Sequence, residues 1–258
     1  MQAAEEVRKK IREGLIDSPT AGMALGHVQA NLAIVTKDFA YDFLLFAQRN
    51  PRSCPILDVT DVGSPVPRLM APNADIRYDL PRYFIYENGK KIDELTSIEK
   101  IWQDDFVAFL IGCSFSFETA MLNAGLPVRH IEKKKNVPMY ITNIDCIPAG
   151  IFHGKMVCSM RPLKPADAIR ATKVTACFPA VHGAPVHLGD PATIGIADIN
   201  KPDFGDRPDI NEGEIPVFWA CGVTPQAVAM ASKPPVMITH APGYMFICDA
   251  KDGDFSVF

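Results

Sequence analysis

The sequence predicts an α/β protein, in which an open three-layer α/β domain carries a smaller inserted α+β domain. Two segments of similar organisation predict the larger domain. Each has a continuous apolar run, at 106–111 and at 215–220, followed by small residues with a cysteine and then a helical stretch. A continuous apolar run is typical of a strand that is buried on both faces. A change in composition predicts the smaller domain, because 15 of the 22 prolines follow residue 126.

The domain boundaries follow from these two segments. Residues 1–126 and 215–258 are assigned to a discontinuous α/β domain, and residues 127–214 are assigned to the insertion, which holds ten of the later prolines. Turns that contain proline and glycine separate short β-like pieces of the insertion. These pieces lie at 138–142, 155–160 and 173–178.

The first part of the larger domain contains helix and strand signals in turn. Gly14 and Pro51 end two predicted helices, and Asn88-Gly89 is a hairpin signal between two β-like pieces. In chain order the elements are a charged helix at 3–13, a helix of regular apolar spacing at 39–47, a strand at 55–59, a proline-containing loop at 61–82 and a hairpin at 83–92.

The last part of the chain predicts completion of the same sheet. A helical stretch at 226–232 is followed by strand-like runs at 236–239 and 244–248, which gives a strand–helix–strand pattern. In an open α/β sheet, ligands bind beyond the carboxyl ends of the strands. Cys113 and Cys221 lie at those ends, so the sequence predicts a ligand site beside them.

Composition and charge exclude several classes of partner. The formal net charge is −4 and the pI is about 5.9, so no basic excess is available to neutralise a nucleic acid. The longest nearly apolar runs have eight and nine residues, at 106–113 and 215–223, whereas a membrane-spanning helix needs about 20. The charged N-terminus fits no signal peptide, and seven cysteines are too few for a disulfide scaffold. We therefore expect a cytoplasmic protein with free thiols and without a nucleic-acid or membrane partner.

The chain contains seven motifs, several of which are long and unusual enough to make a chance similarity to another protein improbable. They are G-H-V-Q-A-N-L at 26–32, D-I-R-Y-D-L-P at 75–81, G-C-S-F-S-F-E at 112–118, P-M-Y-I-T-N at 138–143, S-M-R-P at 159–162, H-G-A-P-V-H-L-G-D-P at 182–191 and W-A-C-G-V-T-P-Q at 219–226.

On these motifs the chain resembles the D-glutamate cyclase family, whose members are also named hydro-lyases, over roughly residues 5–250. The resemblance implies an α/β domain with a smaller α+β domain. It also implies lyase activity, in which a carbon–oxygen bond breaks and water is lost. His27 is a departure, since many relatives have tyrosine there, and this argues against an essential imidazole at that position.

Cys113 and Cys221 are the first catalytic candidates, because each precedes a predicted helix. The macrodipole and the free N–H groups of a helix N-terminus lower the pKa of a thiol. Two such thiols across a cleft could donate and accept a proton at a substrate Cα, a local pattern similar to that of cofactor-independent amino-acid racemases. The alternative is that both are small buried residues at tight packing points.

Hydroxyl and carboxyl groups adjoin the thiols in the sequence. Ser114, Ser116 and Thr224 could bind a substrate carboxylate together with first-turn N–H groups, or could cap the helices. Glu118 could act as a general base, or could be a surface or capping acid.

Two histidines bracket a proline-containing loop. His182 and His187, with Asp190, could perform acid–base catalysis, or the histidines could be structural residues of the loop. The spacing of the histidines matches no common metal-ligand pattern, so no metal site is predicted.

Other polar residues are candidates for substrate binding. The planar guanidinium of Arg161 suits bidentate binding of a carboxylate, although it could equally pair with an acid of the protein. Asn143, Gln29 and Asn31 could bind an oxyanion or an amide, or could satisfy buried backbone groups. The sequence contains no G-x-G-x-x-G, P-loop or G-x-S-x-G motif, so nucleotide binding and serine hydrolysis are not predicted, and no cofactor is required.

The candidates together predict an enzyme that adds water to, or removes it from, a small carboxylated substrate such as an amino or hydroxy acid. Conversion of D-glutamate into 5-oxo-D-proline is one concrete case. The alternatives are a two-thiol racemase or epimerase, and a non-catalytic metabolite-binding subunit. The expected partner is the small carboxylate itself, and the sequence leaves a homo-oligomer open.

Overall fold

The structure is a computed structural model that describes residues 3–257. Its α-helices are α1 (Ala4–Arg12), α2 (Lys37–Arg49), α3 (Glu118–Asn123), α4 (Arg129–Lys133), α5 (Pro165–Ala176) and α6 (Thr224–Ser232). Its strands are β1 (His27–Thr36), β2 (Ile56–Val59), β3 (Tyr83–Glu87), β4 (Lys90–Leu95), β5 (Phe106–Gly112), β6 (Met139–Asp145), β7 (Lys155–Leu163), β8 (His187–Leu188), β9 (Ile215–Ala220), β10 (Val236–His240) and β11 (Phe246–Lys251). Among these residues, every helix is too short or too polar to traverse a bilayer.

The strands form two sheets, and every strand pairing within residues 3–257 is antiparallel. The first sheet has the order β2-β5-β1-β10-β3-β4, and β11 pairs with β1 on the same edge as β10. The second sheet has the order β6-β7-β9-β8. The combination of helices and sheets agrees with the predicted α/β class.

Most predicted elements outside residues 127–214, the predicted insertion, are confirmed within a few residues. These are α1, α2, β2, the hairpin of β3 and β4, β5, β9, α6, β10 and β11. At the hairpin turn, Asn88 and Gly89 have φ angles of +48° and +80°. Two consecutive residues with positive φ are what a tight two-residue hairpin requires, which explains the Asn-Gly signal.

The position of β9 corrects the predicted strand–helix–strand unit. β9 pairs with β7 over six consecutive residues, from Ile215 opposite Leu163 to Ala220 opposite Cys158, whereas β10 pairs with β1 and β3. α6 therefore carries the chain from the second sheet to the first. Because the sheets are antiparallel, the rule about the carboxyl ends of parallel strands does not locate the site here.

The prediction of a β-like piece at 173–178 is wrong, because most of it belongs to α5. Pro165 occupies the first turn of this helix, where its missing N–H costs no hydrogen bond. Ala168, Ala171 and Thr175 are then buried at helical spacing. A strand would have placed alternate residues on opposite faces instead.

β1 lies at the centre of the first sheet, where the sequence pattern predicts no strand. Its eight inner residues are all buried. Even-numbered residues pack into the core on one face of the sheet, and Ala33 and Val35 pack on the other face against α2. Gln29 and Asn31 share that second face by alternation, nearer the start of the strand. These two polar residues interrupt the apolar run and bring side-chain amides to the place where the two sheets meet.

Candidate active site

The two sheets meet at a buried apolar cluster that contains both candidate cysteines. Cys113 follows β5 of the first sheet and Cys221 follows β9 of the second, and only 5% and 7% of these residues are exposed. We call this group the junction cluster. Its buried members are Cys113, Phe115, Val137, Met139, Val157, Cys221, Val223, Ala227 and Met245.

The loops that carry the two cysteines share one backbone arrangement. Each thiol accepts a hydrogen bond from the backbone N–H two residues further on, at Phe115 (3.4 Å) and at Val223. The carbonyl of each cysteine accepts from the N–H three residues further on, at Ser116 and Thr224, with both distances 3.0 Å. The similarity of the two segments therefore extends to their backbone, although they end strands of different sheets.

Burial controls the acidity of the two thiols. It raises the pKa of Cys113 well above the ordinary value, and it raises the pKa of Cys221 to about 11. The N–H donors of Phe115 and Val223 act in the opposite direction but do not offset desolvation. The predicted lowering of the thiol pKa is therefore wrong, and both thiols are protonated at neutral pH.

The hydroxyl groups of the two loops fasten them to neighbouring strands. Ser116 Oγ accepts from the N–H of Gln29 at 3.0 Å and donates to its carbonyl at 3.2 Å. Thr224 Oγ1 donates to the carbonyl of Cys221 at 2.7 Å and accepts from the N–H of Val157 at 3.0 Å. Both hydroxyls thus satisfy backbone groups, and binding of a substrate carboxylate would have to replace these contacts.

The amide of Asn31 lies between the two cysteine loops. Its Nδ2 donates to the carbonyl of Gly112 at 2.6 Å. A Cβ placed on Gly222 would lie only 2.0 Å from the same nitrogen, so the amide packs directly on the second loop. Gln29 holds a different segment, because its Nε2 donates to the carbonyls of Thr20 and Met23 at 3.1 Å.

A buried ion network adjoins the first cysteine loop. Arg161, which is 1% exposed, donates from Nε to Glu118 Oε1 at 3.0 Å, and its Nη2 pairs with the same oxygen. The guanidinium also donates to Ser114 Oγ at 3.0 Å and to Ser159 Oγ at 3.2 Å. Nε2 of His130 lies 3.0 Å from Glu118 Oε1. Three residues that the sequence predicts for the site, Ser114, Glu118 and Arg161, are therefore in contact. Arg161 pairs with an acid of the protein, which is the alternative to binding a substrate carboxylate.

The network keeps Glu118 charged in a buried position. Burial alone would raise the pKa of this carboxyl group, but His130 and Arg161 outweigh burial, and the pKa is lowered. The rings of Phe117 and Trp219 flank the guanidinium, with centroids 5.4 and 5.3 Å from Cζ of Arg161. Among residues 3–257, Glu118 Oε2 has no hydrogen-bond partner, although it is buried. The contacts of the network therefore converge on one carboxylate oxygen, Oε1.

His130 is the member of the network that the sequence reasoning missed. It lies in α4 and is 5% exposed. Its neighbours in sequence are charged residues that resemble a solvated helix, and its partner Glu118 lies in a different helix. No local pattern would have found it.

A cavity of about 290 Å³ opens beside the network, between the loop at 18–23 and the segment at 130–135. His130 forms part of its wall, and so does Ala21, which also packs against the junction cluster. Phe115 stacks on His130 with ring centroids 5.7 Å apart, and it belongs to the same cluster. The cavity, the ion network and the thiols are therefore neighbours.

A larger cavity of about 680 Å³ lies between the turn that joins β6 to β7 and helix α6. Its wall includes His153, Lys155 and Met230, but none of the predicted site residues and no member of the ion network. Among residues 3–257, no group of three or more His, Cys, Asp or Glu side chains could hold a metal ion.

The remaining candidates contact other groups. Nδ1 of the buried His182 lies 2.8 Å from the carbonyl of Arg52, and desolvation lowers its pKa to about 4. Nε2 of His187 lies 2.8 Å from the carbonyl of Asp190 and 3.0 Å from Thr193 Oγ1. Asn143 is exposed, and its Nδ2 donates to the carbonyl of Thr193 at 3.4 Å.

The chain is similar to proteins of one family over nearly its whole length. A family model described as D-glutamate cyclase matches residues 107–249. A protein of Psychrobacter arcticus is 64% identical over 98% of this chain and 96% of its own length. One from Thermoanaerobacter sp. is 64% identical over 96% and 93%, and one from Bacillus subtilis is 60% identical over 99% of each chain. All three are named "Putative hydro-lyase".

Proposed function

The chain belongs to the D-glutamate cyclase family, and we propose that it is a hydro-lyase whose substrate is a small carboxylate such as an amino acid. The observation that carries this proposal is the meeting of Cys113, Ser114, Glu118, Arg161 and Cys221 at the junction of the two sheets. Buried ionisable groups concentrated beside a cavity are typical of a catalytic site.

Interconversion of D-glutamate and 5-oxo-D-proline is the concrete reaction that we propose. The amine attacks the γ-carboxyl carbon, one C–N bond forms and one C–O bond breaks. Two protons of the ammonium group leave with that oxygen as water. A catalyst must therefore take a proton from nitrogen and deliver one to the departing oxygen. Donors held near the tetrahedral oxyanion would lower the barrier further.

The chemistry of the buried groups assigns them different parts in this proposal. The two thiols suit proton donation, because their raised pKa keeps them protonated at neutral pH. Arg161 is the predicted carboxylate clamp, but its guanidinium already bonds to Glu118 and to two serines. We propose that it acts by holding Glu118 in place. We leave His182 and His187 out of this proposal, because Nδ1 of His182 and Nε2 of His187 each lie 2.8 Å from a backbone carbonyl.

The substrate pair is tested by incubating the protein with D-glutamate and, separately, with 5-oxo-D-proline, followed by proton NMR. Conversion in either direction supports the proposal, and absence of both conversions refutes this pair of compounds. Cys113→Ser should lower kcat at least about tenfold if the thiol is a proton donor. Cys177→Ser is the matched control and should keep full activity, because Cys177 is partly exposed and lies outside the junction cluster.

A second candidate function is racemisation or epimerisation by two thiols. The matched backbone geometry of the loops that carry Cys113 and Cys221 favours it. The raised pKa of both thiols disfavours it, because a thiolate is needed as the base. Exchange of the substrate Cα hydrogen in heavy water, without loss of water from the substrate, would support this function. Full activity in both Cys113→Ser and Cys221→Ser would exclude it.

The third candidate function is that of a non-catalytic metabolite-binding subunit, which D-glutamate and 5-oxo-D-proline can also test. It predicts a rise in melting temperature with 5-oxo-D-proline, because a ligand that binds only the native state stabilises it, without turnover of any compound.

A further inference from the structure

The cavity beside His130 has the size and the walls of a site for a small anion. Its volume of about 290 Å³ lies at the lower end of the range for small-molecule sites. Its wall contains no carboxylate and three groups that can carry positive charge. The lining residues are Ser18, Pro19, Ala21, Met23, His130, Ile131, Lys134 and Lys135.

One of the two lysines has an uncompensated charge. Lys135 Nζ pairs with Asp209 Oδ2 at 2.7 Å. Lys134 is exposed at the end of α4, where its φ is +53°, and it forms no ion pair with any residue between 3 and 257. Its ammonium group is therefore available to an anion in the cavity.

His130 is placed to move protons at the inner wall. Its Nε2 lies 3.0 Å from Glu118 Oε1, and the residue lines the cavity, so Nδ1 is the ring nitrogen that could contact a molecule bound there. Stacking on Phe115 fixes the plane of the ring. An imidazole that is oriented by a buried carboxylate is a common arrangement for general acid–base catalysis.

We propose that this cavity is the substrate site, that Lys134 binds a substrate carboxylate, and that His130 is the catalytic acid–base residue. This inference rests on the proposed function. In the cyclisation of D-glutamate, His130 would accept the two protons of the ammonium group in turn. One would pass directly to the departing oxygen, and the other would replace the proton that a thiol donates to that oxygen, which leaves as water. Glu118 is then a positioning residue, which acts through the imidazole.

Binding can be tested without turnover. Glutarate has the two carboxylates of glutamate but no amine that could cyclise, and glutaramide is its uncharged counterpart. In histidine-labelled protein, glutarate and 5-oxo-D-proline should shift the Cε1–H signal of His130 in a saturable way, and glutaramide should not. His153 is the internal control, since it is exposed and lines the other cavity. If neither glutarate nor 5-oxo-D-proline shifts the His130 signal, the inference is overturned.

A pair of neighbouring lysines provides a matched test of the carboxylate contact. Lys134→Gln should raise the KM for the carboxylate substrate, or the Kd for glutarate, about twofold to fivefold, which corresponds to one exposed charge pair. Lys133→Gln removes the same charge from the same segment but not from the cavity wall, and should leave both constants unchanged. Equal effects of the two substitutions would show that Lys134 has no specific contact.

Kinetic variants separate this inference from the proposed function. His130→Asn should lower kcat about 100-fold or more, and full activity in this variant overturns the assignment while leaving the proposed function intact. Glu118→Gln should lower kcat while leaving KM nearly unchanged, because the imidazole loses the carboxylate that orients it. A residue with a purely structural role would not separate kcat from KM in this way. If glutarate binds at His130 but no compound turns over, the site stands and the proposed reaction fails.

Discussion

Removal of the guanidinium of Arg161 should isolate a charge inside the protein. In Arg161→Met, Glu118 would keep its buried position but lose two contacts to Oε1, and two serine hydroxyls would lose a donor. Breaking a buried ion pair from one side costs about 3–5 kcal/mol, since the remaining charge is left without compensation. For a chain of this size, that loss corresponds to a fall in Tm of about 10 °C.

Urea unfolding followed by circular dichroism measures this loss. Arg82→Met is the matched control, because Arg82 pairs with Asp17 and Glu94 but all three side chains are partly exposed. Exposed pairs contribute about 0–1 kcal/mol, so the control should lose at most that amount. Equal losses in the two variants would refute the reasoning that burial makes the Arg161 pair costly to break.

The double variant Arg161→Met/Glu118→Gln tests the origin of the loss. With both charges removed, part of the free energy of unfolding should return, and the coupling energy should be about 0.5–3 kcal/mol. Strictly additive losses would mean that packing of the long arginine side chain, and not the isolated carboxylate, accounts for the destabilisation.

Three further predictions concern stability and reactivity. Gly222→Ala should lower the free energy of unfolding by about 1–3 kcal/mol because its Cβ would meet the Asn31 amide, whereas Gly253→Ala, with open space around it, should change it little, as urea unfolding can show. A thiol reagent at pH 8 should modify Cys177 much faster than the six buried cysteines, and rapid reaction of several thiols would contradict the burial. Glu118, whose folded pKa is lowered, should contribute stability above its unfolded pKa and lose it as the pH falls through the folded value. The free energy of unfolding should therefore fall less steeply below pH 5 in Glu118→Gln than in the wild type, as urea unfolding at several pH values can show.

Much of the first sheet could be predicted from local signals. The apolar run of β5, the Asn88-Gly89 turn and the helical spacing of α2 each depend on neighbouring residues only. The pairing of β9 with β7 could not be predicted, because the two strands are more than 50 residues apart in the chain and no local signal connects them. The helical conformation of α5 could not be predicted either, for a different reason. Its last turn contains Val174 and Thr175, whose β-branched side chains favour strands unless tertiary packing selects the helix.

The candidate site shows the same limit. Cys113, Ser114 and Glu118 are close in sequence, so one motif identified all three. Their meeting with Arg161 depends on how β7 packs against α3, which no local pattern encodes. The acidity of the thiols was predicted with the wrong sign, because a helix terminus is visible in a sequence but the depth of burial is not. His130 was missed because its function depends entirely on a residue in another helix.

The central position of β1 has a consequence for the synthesis of the protein. One edge of this strand is filled by β5, but the other pairs with β10 and β11, so that Gln29 faces Ile247. A ribosome must complete almost the whole chain before that second edge has partners. Contacts of such long sequence separation slow folding, so we expect the first sheet to assemble after translation. A chain that stops shortly before β11 would expose part of a central strand as an open edge, which is a template for aggregation.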